Sequence, residues 1–183
     1  MSPKVKEILD AIAGDRLALV DAVKALGPEQ TDFRPAPGLW SIDDVLHHLA
    51  LSEEASAKLM SLFHDRAVKE SIGPDPRPDD SVLHSIDSLV ARAGDEKAKA
   101  PDRVTPRSKV EAGAALARLE AARSRIVDRA EALSAVDGAK LTYRHPFFDE
   151  LDCYQWLLIG GWHERRHTRQ IERIKGHSLF PLP

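Results

Sequence analysis

Apolar residues recur at intervals of three and four along most of this chain, and that periodicity most constrains its fold. In an α-helix such residues share one face, whereas a half-buried strand requires strict alternation. No stretch shows sustained alternation bounded by turn residues, so we expect no strands. The helical pattern occupies four long segments, at about residues 5–26, 41–66, 108–138 and 149–176. The sequence therefore predicts an all-α fold, an antiparallel four-helix bundle.

Capping residues mark where three of these helices begin or end. Ser41 with Asp44 has the spacing of a capping box at the start of the second helix. Ser108 with Glu111 has the same spacing at the start of the third helix. Gly176 lies where a C-terminal cap of the fourth helix is expected.

A long connection separates the second and third helices. Over residues 71–107 prolines interrupt the helical pattern, and one short amphipathic stretch lies at 82–90. The prolines are Pro74, Pro76, Pro78, Pro101 and Pro106. We expect a crossover of about residues 71–107 that contains one small helix. That the crossover covers a site in the bundle is a hypothesis.

Length and composition are typical of one cytoplasmic domain. The chain has 183 residues, 43% of them hydrophobic, which predicts a single domain over residues 1–183. It has 26 Lys and Arg against 29 Asp and Glu, without a basic run among aromatics, so we expect no nucleic-acid partner. The absence of a long apolar run or secretion signal predicts no membrane association. The single cysteine, Cys153, is expected to be a small buried residue.

Histidines of the second and fourth segments form a candidate metal site. His163 and His167 lie four residues apart, so both imidazoles project from one helical face. About 6 Å of helix rise separates them, and both can reach one ion at about 2.1 Å. His48 is the expected third ligand, because the other residues on its helical face are apolar or small. The adjacent His47 shares a face with charged residues, so we expect it to be solvated and a weaker candidate.

Two other interpretations of these histidines stay open. A histidine on an apolar face is more often a hydrogen-bonded core residue than a ligand, which leaves a bundle without metal as the simplest alternative. The run from His163 to His167 also fits the H-E-x-x-H pattern of zinc proteases, whose glutamate activates water. The downstream histidine, His177, follows the expected cap at Gly176 and is poorly placed as a protease ligand. We expect Glu164 to be an ordinary exposed residue.

Glycines and tryptophans near the histidine pair are further candidates for the walls of a site. A glycine inside a helix costs roughly 1 kcal/mol relative to alanine. The pair Gly160-Gly161 therefore indicates close packing or space for a ligand. The tryptophans are expected in the core or in the wall of a cleft; they are Trp40, Trp156 and Trp162.

The second and fourth segments together resemble a known family. The run from Trp40 to Leu49, W-S-I-D-D-V-L-H-H-L, is followed far downstream by His163-x-x-x-His167-x-x-Gln170-Ile171. This combination is similar to that of the DinB/YfiT-like superfamily, which the order of segments resembles over residues 30–175. The resemblance implies a four-helix bundle, often dimeric, that binds a divalent metal such as nickel or zinc. The ligands that it implies are His48, His163 and His167.

The resemblance also implies a class of reaction. Relatives include thiol-dependent transferases and isomerases that use bacillithiol, mycothiol or glutathione. We therefore expect a metal-dependent thiol S-transferase that acts on small electrophiles, with a low-molecular-weight thiol as cosubstrate and a homodimer as the assembly. A hydrolase with a metal-activated water, and a non-catalytic stress-associated bundle, remain alternatives. No inward carboxylate or serine stands out, so catalytic and thiol-binding residues stay unassigned.

Overall fold

The computed structural model describes residues 1–93 and 99–182, and this part of the chain is mostly helical. The helices are α1 (Pro3–Val23), α2 (Pro28–Asp32), α3 (Ile42–Lys69), α4 (Asp87–Ala93), α5 (Ala112–Leu133) and α6 (Cys153–Lys175). The predicted four-helix bundle is confirmed, because α1, α3, α5 and α6 are long and all four contribute to the same buried clusters. None of the described helices combines the length and apolar character needed to cross a bilayer.

The first and last helices of the bundle, α1 and α6, run parallel to each other. Near their starts, Lys4 Nζ lies 5.0 Å from the centre of the Tyr154 ring. Near their ends, Lys175 Nζ donates to the carbonyl oxygen of Ala22 at 3.0 Å. α3 and α5 form the other parallel pair, so the connection between them must return the chain along the whole bundle. This is why the crossover is long.

The small helix of the crossover begins later than the sequence predicts. Of the expected range 71–107, residues 94–98 lie outside the described part of the chain. The small helix predicted at 82–90 forms later, as α4. Its first residue is Asp87, whose carboxylate lies at the positive end of the helix dipole. A 3₁₀ turn at Asp102–Val104 follows before α5 begins.

Asp75 fixes the first part of the crossover to the bundle. Its Oδ2 accepts from Lys4 Nζ of α1 at 2.6 Å and from Tyr154 Oη of α6 at 2.7 Å. The backbone contributes as well, because the Lys4 N–H donates to the carbonyl oxygen of Pro78. These bonds hold the crossover across the starts of α1 and α6.

Capping boxes begin both helices that carry the histidines. The predicted box of α3 is confirmed: Ser41 Oγ accepts from the Asp44 N–H at 3.2 Å, and Asp44 Oδ2 accepts from the Ser41 N–H at 3.0 Å. α6 begins with a box that the sequence analysis missed, formed by Asp152 and Gln155. Side chains thus satisfy the first amide groups of both helices.

The start of α5 differs from its prediction. Glu111, not Ser108, is the N-cap residue, and its side chain makes no capping bond. The amide of Ala112 instead donates to Asp43 Oδ1 of α3 at 2.9 Å. The predicted local capping box is wrong because a side chain of another helix supplies the acceptor. This bond also places the first turns of α3 and α5 side by side.

A short hairpin precedes α6, so the expectation of no strands is wrong. Strand β1 (Thr142–His145) pairs antiparallel with β2 (Asp149–Asp152). Four residues per strand are too few for an alternating pattern to be recognised. Asp149 has a positive φ of 58°, which lets the chain reverse direction there. The fourth long helix therefore begins at Cys153 and not near Asp149.

A charged layer divides the core of the bundle into two apolar clusters. Ile12 and Ile126 belong to the cluster at one end, and Leu19 and Leu119 belong to the cluster at the other. Between the clusters, each long helix contributes one buried charged residue: Arg16 of α1, Glu53 of α3, Arg123 of α5 and Glu164 of α6. Cys153 is buried in the first cluster, as predicted.

Candidate metal centre

His48 of α3 and His163 and His167 of α6 meet inside the bundle. His163 Nε2 lies 3.1 Å from His48 Nε2 and 3.1 Å from His167 Nε2. One ligand atom from each ring lies within 4.8 Å of the others, and no carboxylate of the described residues joins this group. The three histidines predicted as ligands are therefore neighbours in the fold. That they bind a metal remains a prediction.

Two of these rings are held by hydrogen bonds at their other nitrogen. His48 Nδ1 donates to the carbonyl oxygen of Val104 at 2.8 Å, and His167 Nδ1 donates to Gln170 Oε1 at 2.8 Å. A neutral imidazole carries one proton, so the Nε2 atom of each ring is left with a bare lone pair. Metal-binding histidines typically have such partners, which fix tautomer and ring orientation. Val104 belongs to the crossover, which therefore reaches the site.

The three Nε2 atoms are better placed to coordinate a cation than to form hydrogen bonds with one another. His163 Nε2 has at most one proton in the neutral ring and can donate it to only one of its two neighbours. The separations of 3.1 Å lie within the roughly 3.0–3.4 Å expected of nitrogens about 2.1 Å from one ion at octahedral or tetrahedral angles. Imidazole nitrogen suits zinc and nickel alike. The donor set therefore fits a divalent transition metal.

Burial keeps these imidazoles neutral, which is the form that binds metals. It lowers the pKa of His167 to about 3 and holds the pKa of His163 well below its usual value. The pKa of His48 is also lowered, mainly by burial, although its bond to Val104 acts in the opposite direction. Trp40 forms one wall of the site, with its ring centre 4.9 Å from that of His48 and 6.5 Å from that of His167.

Two arginines of α6 act on the pKa values of these rings. Besides burial and the histidines themselves, Arg166 lowers the pKa of His163, and Arg166 and Arg173 lower the pKa of His167. The Arg166 guanidinium lies 5.6 Å from the centre of the Trp162 ring. These two positive charges favour an anionic group beside the rings.

Comparison with known proteins places the chain in a family. Residues 11–171 match the family profile described as the DinB superfamily. The chain belongs to the DinB superfamily. One relative is the uncharacterized protein YuaE of Bacillus subtilis (strain 168), 29% identical over 164 residues that cover 87% of this chain and 92% of YuaE.

Two solved structures are similar to this DinB fold. TT2238, described as a four-helix bundle protein, has a TM-score of 0.60 and 20% identity, covering 92% of this chain and 98% of its own. YfiT from Bacillus subtilis has a TM-score of 0.57 and 19% identity, covering 94% of this chain and 86% of its own. YfiT is described as "a probable metal-dependent hydrolase with an unusual four-helix bundle topology". At these identities the similarity shows the fold alone.

His47 does not lie on a solvated face, so this prediction is wrong. Its side chain is only 6% exposed, and its Nδ1 has no hydrogen-bond partner among the described residues. The reason is that α5 covers this face of α3: Glu54, on the same face, pairs with Arg118 of α5 at 2.8 Å. The helical wheel of α3 alone cannot show which face another helix covers. His47 stays outside the histidine group in this DinB bundle.

Glu164 is buried, which overturns the expectation of an exposed residue. It is 3% exposed, and its Oε1 accepts from Arg16 Nε at 2.7 Å while its Oε2 accepts from Arg123 Nη2 at 3.1 Å. Both carboxylate oxygens thus bind arginines of neighbouring helices and not the histidine group. The zinc-protease role of a glutamate in H-E-x-x-H is not supported in this DinB protein.

Glu53 completes a closed ring of four buried charges, here called the charged ring. Its Oε1 accepts from Arg123 Nε at 2.6 Å, and its Oε2 pairs with Arg16 Nη2. Each long helix contributes one member, and the four residues are between 3% and 9% exposed. Two arginines and two glutamates sum to zero formal charge. The ring could not be predicted from the sequence, because only the packed bundle brings these four positions together.

A cavity of about 40 Å³ touches both the histidine group and the charged ring. His163 lines it on the side of the histidines, and Glu53, Arg123 and Glu164 line it on the side of the ring. Trp156 also lines the cavity, as expected of a tryptophan in a cleft wall. The histidine site of this DinB protein therefore continues into the bundle interior.

His145, at the end of β1, is a further histidine near the site. Its ring stacks on Phe148 and packs against Trp156, with ring centres 4.9 Å apart in both cases. Burial lowers the pKa of His145 to about 4. His145 also contributes to lowering the pKa of His163. His145-Pro146-Phe147 is a further point of resemblance to the family, but the sequence did not place His145 near the site because the hairpin, not a helix, carries it there.

Proposed function

We propose that this DinB protein is a divalent-metal-dependent thiol S-transferase whose ion is held by His48, His163 and His167. The observation that carries the proposal is the convergence of three neutral imidazoles, with Nε2 atoms 3.1 Å apart in two pairs. Three protein ligands are typical of catalytic metal sites, which keep a position open, whereas structural zinc sites use four. Zinc or nickel is the ion that we favour.

The charges around the site support a thiolate as the remaining ligand of the metal. No carboxylate of the described residues joins the histidine group, so nothing in that group offsets the charge of a dication. Arg166 and Arg173 add positive charge nearby. When bound, a divalent ion would lower the pKa of a coordinated thiol, which is the chemistry a thiol transferase requires.

The chain's own residues orient the ligands and shield them from water. Val104 and Gln170 each accept a hydrogen bond from one imidazole, which directs its Nε2 lone pair toward the shared centre. Trp40 covers the rings of His48 and His167 from one side. This preorganisation reduces the cost of ordering the site when substrate binds.

A metal-dependent hydrolase is the second candidate, and the description of YfiT favours it. Hydrolysis by an activated water requires a base that accepts the proton. Glu164, the acid that H-E-x-x-H would supply, is instead engaged by Arg16 and Arg123. The thiol transferase is therefore the better supported of the two.

Elemental analysis of the purified, untagged protein tests metal binding. After reconstitution with zinc or nickel and dialysis, we expect about one divalent ion per wild-type chain and loss of that ion in His48→Ala and His163→Ala. His84→Ala is the matched control, because His84 is an exposed histidine outside the group. A wild type without metal would contradict the proposal and leave a bundle with buried histidines.

Two assays separate the candidate reactions. A thiol transferase should consume glutathione in the presence of chlorodinitrobenzene only when loaded with metal. A hydrolase should release nitrophenol from nitrophenyl acetate without any thiol. His163→Ala gives the background in both assays. If chelation lowers the unfolding temperature but neither reaction exceeds that background, the metal is structural.

Assembly and location complete the proposal. We propose a homodimer that acts on a small-molecule substrate, as the family resemblance implies, and a cytoplasmic location, which the single cysteine favours. Light scattering coupled to size-exclusion chromatography measures the mass in solution, and a mass of one chain would contradict the dimer.

A further inference from the structure

Two adjacent glycines of α6, Gly160 and Gly161, have different surroundings. A Cβ at Gly161 would lie 2.7 Å from both Ile12 Cγ2 and Asp15 Oδ2 of α1, so Gly161 is required for close packing of two helices. A Cβ at Gly160 would meet no atom within 4 Å. Close packing therefore explains one glycine and leaves the other without a packing reason.

Gly160 lines the cavity that begins at the histidine site. It lies one turn before His163 on α6, and both residues line the same cavity. A helix interior disfavours glycine by about 1 kcal/mol relative to alanine. Gly160 therefore weakens the helix at a position that lines the cavity and where a Cβ would meet open space.

The size and lining of the cavity define what it can hold. Its volume of about 40 Å³ corresponds to about three water molecules. Three members of the charged ring, Glu53, Arg123 and Glu164, line the cavity, and each glutamate of the ring is already paired with both arginines. A charged group entering the cavity would find no unpaired counter-charge there and would lose its hydration. The rest of the wall is mostly apolar, with Leu49, Met60 and Ile126 among its residues, but it also includes Ser52 and Ser56.

We propose that this cavity receives a short, uncharged substituent of the thiol that binds the metal and that Gly160 determines the length of this substituent. The substituent has up to about three non-hydrogen atoms, by the volume above. The inference rests on the proposed function, because it places the sulfur of the same molecule at the three-histidine site. Gly160 is thus a specificity-determining residue and Gly161 a packing residue.

Binding of a series of alkanethiols to the cobalt-loaded protein tests this inference. The thiolate-to-cobalt absorption band gives a Kd without any turnover. From methanethiol to propanethiol we expect affinity to rise by about fourfold per carbon, the value for burying one methylene, and to stop rising at butanethiol. In Gly160→Ala the rise should stop one carbon earlier, with metal content unchanged. Gly14→Ala, a control on α1 where a Cβ also meets no atom, should behave as wild type.

The outcomes separate this inference from the proposed function. If thiols bind the metal but chain length has no effect, or has the same effect in Gly160→Ala, the pocket is refuted and the metal site stands. If no metal binds, the proposed function fails. Crystals of the metal-free protein under xenon pressure then test whether the cavity can hold a small apolar group. Xenon beside Gly160 in the wild type but not in Gly160→Ala would support a pocket for small apolar groups, and its absence from the wild type would overturn it.

Discussion

Replacing Arg123 with methionine tests whether the charged ring holds the four long helices together. Arg123 donates to Glu53 Oε1 at 2.6 Å, to Glu164 Oε2 at 3.1 Å and to the carbonyl oxygen of Ile12 at 3.2 Å. Methionine keeps an unbranched apolar stem but none of these donors. Two buried carboxylates would then share the single guanidinium of Arg16, and the layer would carry a net negative charge.

The expected loss of stability is large. Removing one partner of a buried ion pair costs about 3–5 kcal/mol, because the remaining charge stays buried without compensation. This compares with a total free energy of unfolding of about 5–15 kcal/mol for a domain. For a chain of this size it corresponds to a decrease of about 6–20 °C in the unfolding temperature.

Chemical denaturation and scanning calorimetry of Arg123→Met and Arg118→Met provide the measurement. Arg118 lies on the same helix and pairs with Glu54 on the same neighbour, but these side chains are 34% and 28% exposed. We expect the surface pair to contribute less than about 1 kcal/mol. Comparable small losses in both variants would refute the argument that the buried ring stabilises the bundle.

Acidification gives the same prediction an independent test. Burial already raises the pKa of Glu164, against the opposing effect of both arginines. In Arg123→Met one of those arginines is missing, so we expect this pKa to rise further. A carboxyl whose pKa is higher in the folded state than in the unfolded state favours folding as the pH falls through the higher value. The stability difference from wild type should therefore shrink from pH 7 to pH 5; a constant difference would contradict this explanation.

Three further predictions concern the site and its support. Gln170→Ala should weaken metal binding about 10- to 100-fold in a competition titration, because His167 loses the partner that orients it. Gly161→Ala should lower the free energy of unfolding by about 1–3 kcal/mol through contact with Ile12, whereas Gly160→Ala should not lower it. The folded-state pKa of His145 is about 4, below the unfolded value, so its contribution to stability is complete above pH 6.5 and is lost as the pH falls toward 4. The free energy of unfolding of His145→Gln should therefore fall by about 1–2 kcal/mol less than that of wild type over that range, after discounting for partial exposure. Equal decreases in the two proteins would contradict this prediction.

Features set by neighbouring residues along one helix could be predicted from the sequence. The capping box of Ser41 and Asp44 depends on a spacing of three residues within one turn. The shared face of His163 and His167 depends only on helical geometry. Predicting the contact with His48 required a further step, that α3 and α6 meet in the bundle.

Features that depend on a second helix could not be predicted in this way. His47 and Glu164 are polar, and the wheel of their own helix leaves them at its polar edge. His47 is buried because α5 covers its face of α3. Glu164 is buried because arginines of α1 and α5 neutralise its charge. The acceptor of the first amide of α5 belongs to Asp43 of α3 for a similar reason. Local sequence patterns show which residues are polar, but they do not show which polar residues are buried and hydrogen-bonded to another helix.

The turn of α6 that begins at His163 connects the candidate metal site to the packing of the whole bundle. His163 and His167 face His48 of α3, while Glu164 binds arginines of α1 and α5. Adjacent residues on a helix point about 100° apart, so one rigid segment contacts all three other long helices. A shift of this segment that breaks the bonds of Glu164 must also change the distance between His163 and His48. Ligands that bind only the folded state stabilise it, by about 4 kcal/mol at a thousandfold excess over Kd. At the same metal concentration Arg123→Met should therefore gain less stability from the metal than wild type, although Arg123 does not belong to the histidine group.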